Sequence, residues 1–387
     1  MNYDFDTVVD RGNTGSLKYD FARAFGKPEG LIPMWIADMD FQAPDVVVAD
    51  IQRAAAHGVF GYTEAGEDYY SAVAGWFSER FGYTVPNEEI IKTPGVVFAL
   101  AHMIRAFTAP GEAVLVQSPV YYPFFQIIRD NARTLAVNPL KYIDGKYEID
   151  FADFELKVKT ERVKMFLLCS PHNPVGRVWT RAELAVMDEI CRRYGVIVVS
   201  DEIHCDFVWQ GHTHTSFRIL NEDAVIATAP SKSFNLAGLQ VSNNFIKNSG
   251  LRRKLTGEIE KSGLNHLNTL GIAACKSAYL NGAEWLEQLK AYIAGNIGYA
   301  RAFLSRMLPD VRLVEPEGTY LLWLDFSGYH LPQAELDRRV TDGAGLWLDS
   351  GAIFGADGAG FQRINVACPR KILVQALDRL AQEFRRG

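Results

Sequence analysis

Met165-Phe166-Leu167-Leu168-Cys169 runs directly into Ser170-Pro171-His172-Asn173-Pro174. Five apolar residues without polar alternation read as a strand buried on both faces, as in a parallel sheet covered by helices. The polar, proline-rich turn that follows sits where open α/β sheets bind ligands, beyond the carboxyl ends of their strands. The same reading repeats outward from this stretch. AVLVQ at 113–117, VIVVS at 196–200 and AVIAT at 224–228 are further apolar runs of strand length. Helical patterns lie between them, such as 181–194, opened by Thr180 as a candidate N-cap. This alternation predicts an α/β domain with a mostly parallel sheet.

The ends of the chain read differently. Residues up to about 41 are irregular and rich in Gly, Pro and Asp. The last hundred residues hold a long helical stretch around 284–307, a strand-like run at 319–325 and a closing amphipathic helix. Leu373, Leu377, Leu380 and Phe384 mark the apolar face of that helix at i, i+4, i+7 and i+11. The expected organisation is an N-terminal arm (1–45) that joins a smaller α+β domain (284–387), with a large domain (46–283) between. A length of 387 residues suits two or three units at roughly 150 residues each.

Composition narrows the class. With 48% hydrophobic and 22% charged residues, the chain can bury a large core and is neither disordered nor fibrous. Its formal charge of −6 argues against general nucleic-acid binding, which needs clustered basic residues. It leaves room for a small anionic ligand held by a few Arg or helix N-termini. The five cysteines are scattered and form no C-x-x-C, so reduced, packed thiols are expected. The acidic start carries no signal-like apolar run, and no stretch is long enough to span a membrane. The cytoplasm is the expected compartment. His212 and His214 form an H-x-H pair without further ligands, so a solvated loop is expected rather than a metal site.

Phosphate-loop, zincin and nucleophile-elbow signatures are absent. Polar residues instead stand just after the predicted strands: Asn173; Asp201 and His204; Ser231 and Lys232; Tyr121 and Tyr122. A lysine amine can form a Schiff base with an aldehyde cofactor. A carboxylate beside a pyridine nitrogen keeps that ring protonated and able to accept electrons. An aromatic face can stack on the ring. Thr93-Pro94-Gly95-Val96-Val97, opening the helical stretch 98–107, could offer N–H groups to a phosphate.

These residues carry a resemblance. The chain resembles fold-type I pyridoxal 5′-phosphate (PLP) enzymes of the aminotransferase class I/II superfamily, and within them the cystathionine β-lyase/C–S lyase subgroup. Matching stretches are PMWIADMDF at 33–41, GYT at 61–63, SPVYYP at 118–123 and SPHNPVG at 170–176. SDEIH at 200–204, APSKSFNLAGLQ at 229–240 and RIN at 363–365 complete the set. Each is weak alone; in this order and spacing they are specific. The resemblance implies the aspartate aminotransferase fold, with a mostly parallel seven-stranded sheet in the large domain and a smaller α+β domain.

It also implies roles. Lys232 is expected to carry the cofactor, Asp201 to pair with the pyridine nitrogen, and Tyr121 to stack on the ring. Asn173 is expected at the phenolic oxygen, His204 beside Asp201 to orient it, and Gly95, Val96, Val97 and Ser231 at the phosphate. Tyr62 would reach the phosphate of a neighbouring subunit, so a homodimer with shared sites is implied. Arg363 would hold the substrate α-carboxylate by its planar fork, with Asn173 and Ala37 also at the substrate. Trp35 and Tyr320 suit either the pocket or the core.

Two departures from the aminotransferase pattern favour the lyase subgroup: Gln240 stands where many members carry an Arg, and Ala229 where many carry a Ser. The implied reaction is β-elimination from L-cystathionine or other cysteine S-conjugates, giving a thiol, pyruvate and ammonia. Transamination with the same residues is the alternative. An additional regulatory role, as in some members of the subgroup, is a further one, although no patch in the sequence identifies a protein partner.

Overall fold

The computed structural model describes residues 3–385. Seven strands form the central layer: β1 (Ile90–Thr93), β2 (Ala113–Ser118), β3 (Thr134–Pro139), β4 (Val163–Cys169), β5 (Ile197–Asp201), β6 (Val225–Thr228) and β7 (Ser242–Phe245). Their order across the sheet is β1-β7-β6-β5-β4-β2-β3. Only β7 runs against its neighbours; the other pairings are parallel. The mostly parallel seven-stranded sheet is therefore present as expected.

The continuous apolar runs have a direct cause. Val114, Met165, Leu167, Val199 and Val225 point into one apolar cluster, together with the helix Val96–Phe107. Leu115, Phe166, Leu168, Val198 and Ile226 point into the cluster on the opposite face. Both faces of each strand are thus dry, so no polar alternation survives. The helix Arg181–Tyr194 begins at Thr180 in a capping box with Glu183 and ends at Gly195, whose φ of 69° few side-chain-bearing residues adopt.

The sheet order fixes where a ligand can enter. From β2 the chain moves outward to β3, then returns across β2 to β4 and continues the other way through β5 and β6. The loops after β2 and β4 therefore diverge at a topological switch point, where a crevice opens beyond the strand ends.

A second, antiparallel sheet forms from the C-terminal third: β8 (Arg312–Val314), β9 (Leu321–Asp325), β10 (Asp349–Ser350) and β11 (Phe361–Asn365), in the order β8-β9-β11-β10. The helices Ala283–Met307 and Arg370–Phe384 accompany it. The N-terminal arm joins this part of the molecule, as Ile32–Pro33 pair in parallel with Leu346–Trp347. The strand expected over 319–325 begins only at Leu321, because Thr319 adopts a φ of 65° and gives its N–H to Phe207. All five cysteines are buried and unbridged.

His212 is exposed, but His214 corrects the expectation of a solvated loop. Its buried Nε2 pairs with Glu202 at 3.1 Å. Among the described residues no group of metal-ligating side chains is assembled, and no helix is long and apolar enough to cross a membrane.

Candidate active site

Four strand ends and one strand of the smaller sheet meet around a cavity of about 470 Å³. Asp201 is the last residue of β5, Asn173 follows β4, and Tyr121 follows β2. Lys232 sits in the short helix Pro230–Ser233 after β6, and Arg363 comes from β11. Gly95, Val96, Val97, His204, Ser231 and Ala37 also line the wall. Of the residues expected at the cofactor or the substrate, only Tyr62 lies away from this cavity; Tyr320 lies behind its wall.

Burial sets the charge states. The Asp201 carboxyl is pushed up to about 7, chiefly because it is removed from water; the Ile203 N–H (3.1 Å to Oδ1) and Lys232 pull the other way. Burial pushes the Lys232 ammonium down to about 8, opposed by Asp38 and Asp201. Lys232 Nζ donates to the Ala37 carbonyl at 2.7 Å, and the Tyr320 hydroxyl donates to the same oxygen at 3.0 Å. Tyr320 is thus buried at the edge of the site and holds the segment that faces the lysine.

His204 does not take the place expected of it. Its Nδ1 is buried without a partner, its ring meets the Tyr320 ring edge-on at 5.8 Å, and the hydrogen bond seen at Asp201 Oδ1 comes from the Ile203 N–H. Burial, Lys232 and Arg363 hold the imidazole neutral. His204 faces the cavity rather than orienting Asp201.

Arg363 is buried at 2% exposure and shared among three acceptors. It donates to Asn173 Oδ1 at 2.8 Å, to the Trp35 carbonyl at 2.9 Å and to the Asp349 carboxylate. Its guanidinium stands 4.8 Å over the Phe354 ring, and its Nε has no partner. A buried N–H without an acceptor is costly. Arg363 itself stands on the cavity wall.

At the opposite end, the helix Val96–Phe107 starts at Gly95, whose φ is 92°, with no side chain capping it. The first N–H groups of a helix have no intrahelical acceptor, so this end is a ready anion site. Gln240 stands beside it: a Cβ added at Gly95 would lie 3.4 Å from Gln240 Oε1. An uncharged amide therefore stands beside this helix end.

Tyr62 is 97% exposed, close to the ring of His266 and in a segment where Val59 and Phe60 are also exposed. Trp35 lines the cavity and stacks on Trp347 at 4.3 Å. Tyr121 and Tyr122 both reach the wall. Asp349 was missed by sequence reasoning. Its one signal was an acidic residue closing the apolar run Leu346-Trp347-Leu348, a place that demands a buried partner.

Comparison with known proteins agrees with this geometry. A family model described as aminotransferase class I and II matches residues 31–380. The chain is 43% identical to cystathionine beta-lyase PatB of Bacillus subtilis, over 97% of this chain and 98% of that one. It is 32% identical to protein MalY of Escherichia coli, over 99% of both. The crystal structure of cystalysin from Treponema denticola, which contains pyridoxal 5′-phosphate, matches with a TM-score of 0.96 at 35% identity over 100% of both chains. The PLP-bound C-S lyase of Staphylococcus hominis, complexed with L-cycloserine, matches at 0.93 with 32% identity, again over 100% of both.

Proposed function

The chain belongs to the class I and II aminotransferase family, and from that premise we propose that it is a PLP-dependent carbon–sulfur β-lyase. It cleaves L-cystathionine or related cysteine S-conjugates with water to a thiol, pyruvate and ammonia. The observation that carries this reading is the meeting of Lys232, Asp201, Asn173 and Arg363 on one cavity, in a chain whose full-length relatives include cystathionine β-lyases.

The residues present fit PLP. The uncapped helix end with Ser231 nearby suits the phosphate, and the buried Asp201 carboxylate suits a protonated pyridine nitrogen. The unpartnered His204 Nδ1 and the Asn173 side chain supply polar contacts between these two ends. Tyr121 offers its ring to the cofactor face. When bound, PLP supplies an electron sink for the bond broken at the substrate Cα.

The protein's own groups do the rest. Arg363, through its free Nε edge, holds the substrate α-carboxylate, and the Ala37 N–H, which has no protein acceptor among the described residues, adds a second donor. Lys232 both anchors the cofactor and takes the Cα proton on Nζ. Burial brings its acidity to about 8, so a useful fraction of the amine is the free base near neutral pH. The low-dielectric wall of Trp35, Tyr121 and Tyr122 keeps bulk water from the reacting carbon. The Ala37 carbonyl and Tyr320 fix where the lysine amine rests.

The exposed run Val59, Phe60 and Tyr62 supports a homodimer, since a second copy would cover this apolar surface. Tyr62 then reaches the neighbour's phosphate. Incubation of the PLP-loaded protein with L-cystathionine, without any keto acid, tests the activity. Pyruvate and free thiol in equal amounts are expected; turnover only when a keto acid is added would replace the lyase by a transaminase.

A further inference from the structure

Asp349 and Arg363 are register partners on β10 and β11, so both side chains leave the same face of the sheet toward the cavity. They form an ion pair in which both members are buried, at 6% and 2% exposure. The pair is locked from several sides. Arg363 also bonds Asn173 and the Trp35 carbonyl; burial raises the Asp349 carboxyl, and the hydrogen-bonded Arg363 guanidinium is the main group holding it ionised against that shift. With Asp349 ionised, the group that meets the substrate carboxylate is neutral overall.

That neutrality has a consequence for selection. A ligand carboxylate that reaches the free edge of Arg363 also meets the negative charge of Asp349. An amino acid brings a compensating ammonium group, whereas a keto acid brings only its negative charge. In a buried site the difference is weakly screened by solvent or salt. We propose that Asp349 is a specificity-determining residue that makes the Arg363 clamp select zwitterionic amino acids over keto acids. The inference rests on the lyase reading and deepens it. Such an enzyme needs no keto-acid partner and releases pyruvate, so this clamp limits product rebinding and starves the transamination route of its second substrate.

Calorimetric titration of the PLP-loaded enzyme with pyruvate and with L-alanine tests this. Asp349→Asn should tighten pyruvate relative to alanine by about ten- to hundredfold, the change in proton affinity that one nearby charge typically causes. Asp349→Glu, which keeps the charge, should restore the original ratio. An unchanged ratio in Asp349→Asn, with the visible absorbance of bound PLP intact, overturns the proposal. The unaltered enzyme gives a second test that needs no variant. It should bind pyruvate no more tightly than the uncharged pyruvamide, and a strong preference for the anion is equally fatal. Neither titration requires turnover, so a failure to cleave L-cystathionine would count against the lyase reading alone.

Discussion

At the scale of single residues, the site is built from groups that burial holds away from their ordinary charge states. Asp201 is one of them, pushed up to about 7. Without cofactor, the folded chain keeps a proton there that the unfolded chain has lost above about pH 4. Folded stability therefore falls as pH rises from about 4 to 7. Lys232 acts in the opposite sense over a higher window. Between about 8 and 10.5 the unfolded chain holds a proton that the folded one has released, so stability rises with pH there. Asp201→Asn should therefore stabilise the cofactor-free protein at pH 8, by on the order of 2–4 kcal/mol, and by less than half as much at pH 5. The same change should weaken PLP binding. Thermal unfolding at the two pH values reads this, and a less stable Asn variant at pH 8 would contradict it. Lys232, Asp201 and Asn173 were legible in the sequence because each follows an apolar strand run. Asp349 was not, since a cross-strand partner is set by a register that local sequence does not encode.

At the scale of elements, the decisive piece is the start of the helix Val96–Phe107. Gly95 adopts a backbone conformation that side chains disfavour, which leaves the first N–H groups facing the cavity. Proline at the first helical position keeps the helix but removes one of those donors. Val96→Pro is thus expected to leave the secondary structure intact while weakening PLP retention. The loss should be about ten- to hundredfold, as for a hydrogen bond to a charged group; equilibrium dialysis against PLP measures it. Unchanged retention would remove the helix end from the cradle. The helix Arg181–Tyr194 was readable to the residue, because Thr180, Glu183 and Gly195 specify both ends locally. The start of β9 was not. Thr319 is held out of the strand by its bond to Phe207, a contact 112 residues distant in the chain.

At the scale of the whole molecule, the sheet order brings distant strand ends to one crevice, and the arm and smaller sheet close it with Trp35, Asp349 and Arg363. Periodicity alone indicated a parallel sheet; the resemblance carried by the motifs added its seven strands and mostly parallel sense, while the strand order and the reversal of β7 are seen only in the fold. Tyr62 belongs to this scale, since its exposed ring lies on the surface proposed to meet a second copy. Lys232→Ala and Tyr62→Ala chains, each expected to be poorly active alone, should regain activity when mixed dimers form, because one of the two sites is then intact. Co-expression with two affinity tags tests this, and mixed dimers no more active than their parents would contradict shared sites.

The central claim is that the amine at position 232 holds PLP covalently. Borohydride reduction of the PLP-loaded protein followed by peptide mass mapping tests it most directly. The expected result is a single pyridoxyl phosphate label on Lys232, absent from Lys232→Ala. A protein that stays unlabelled there after saturation with PLP, or that is labelled at another lysine, would contradict the account.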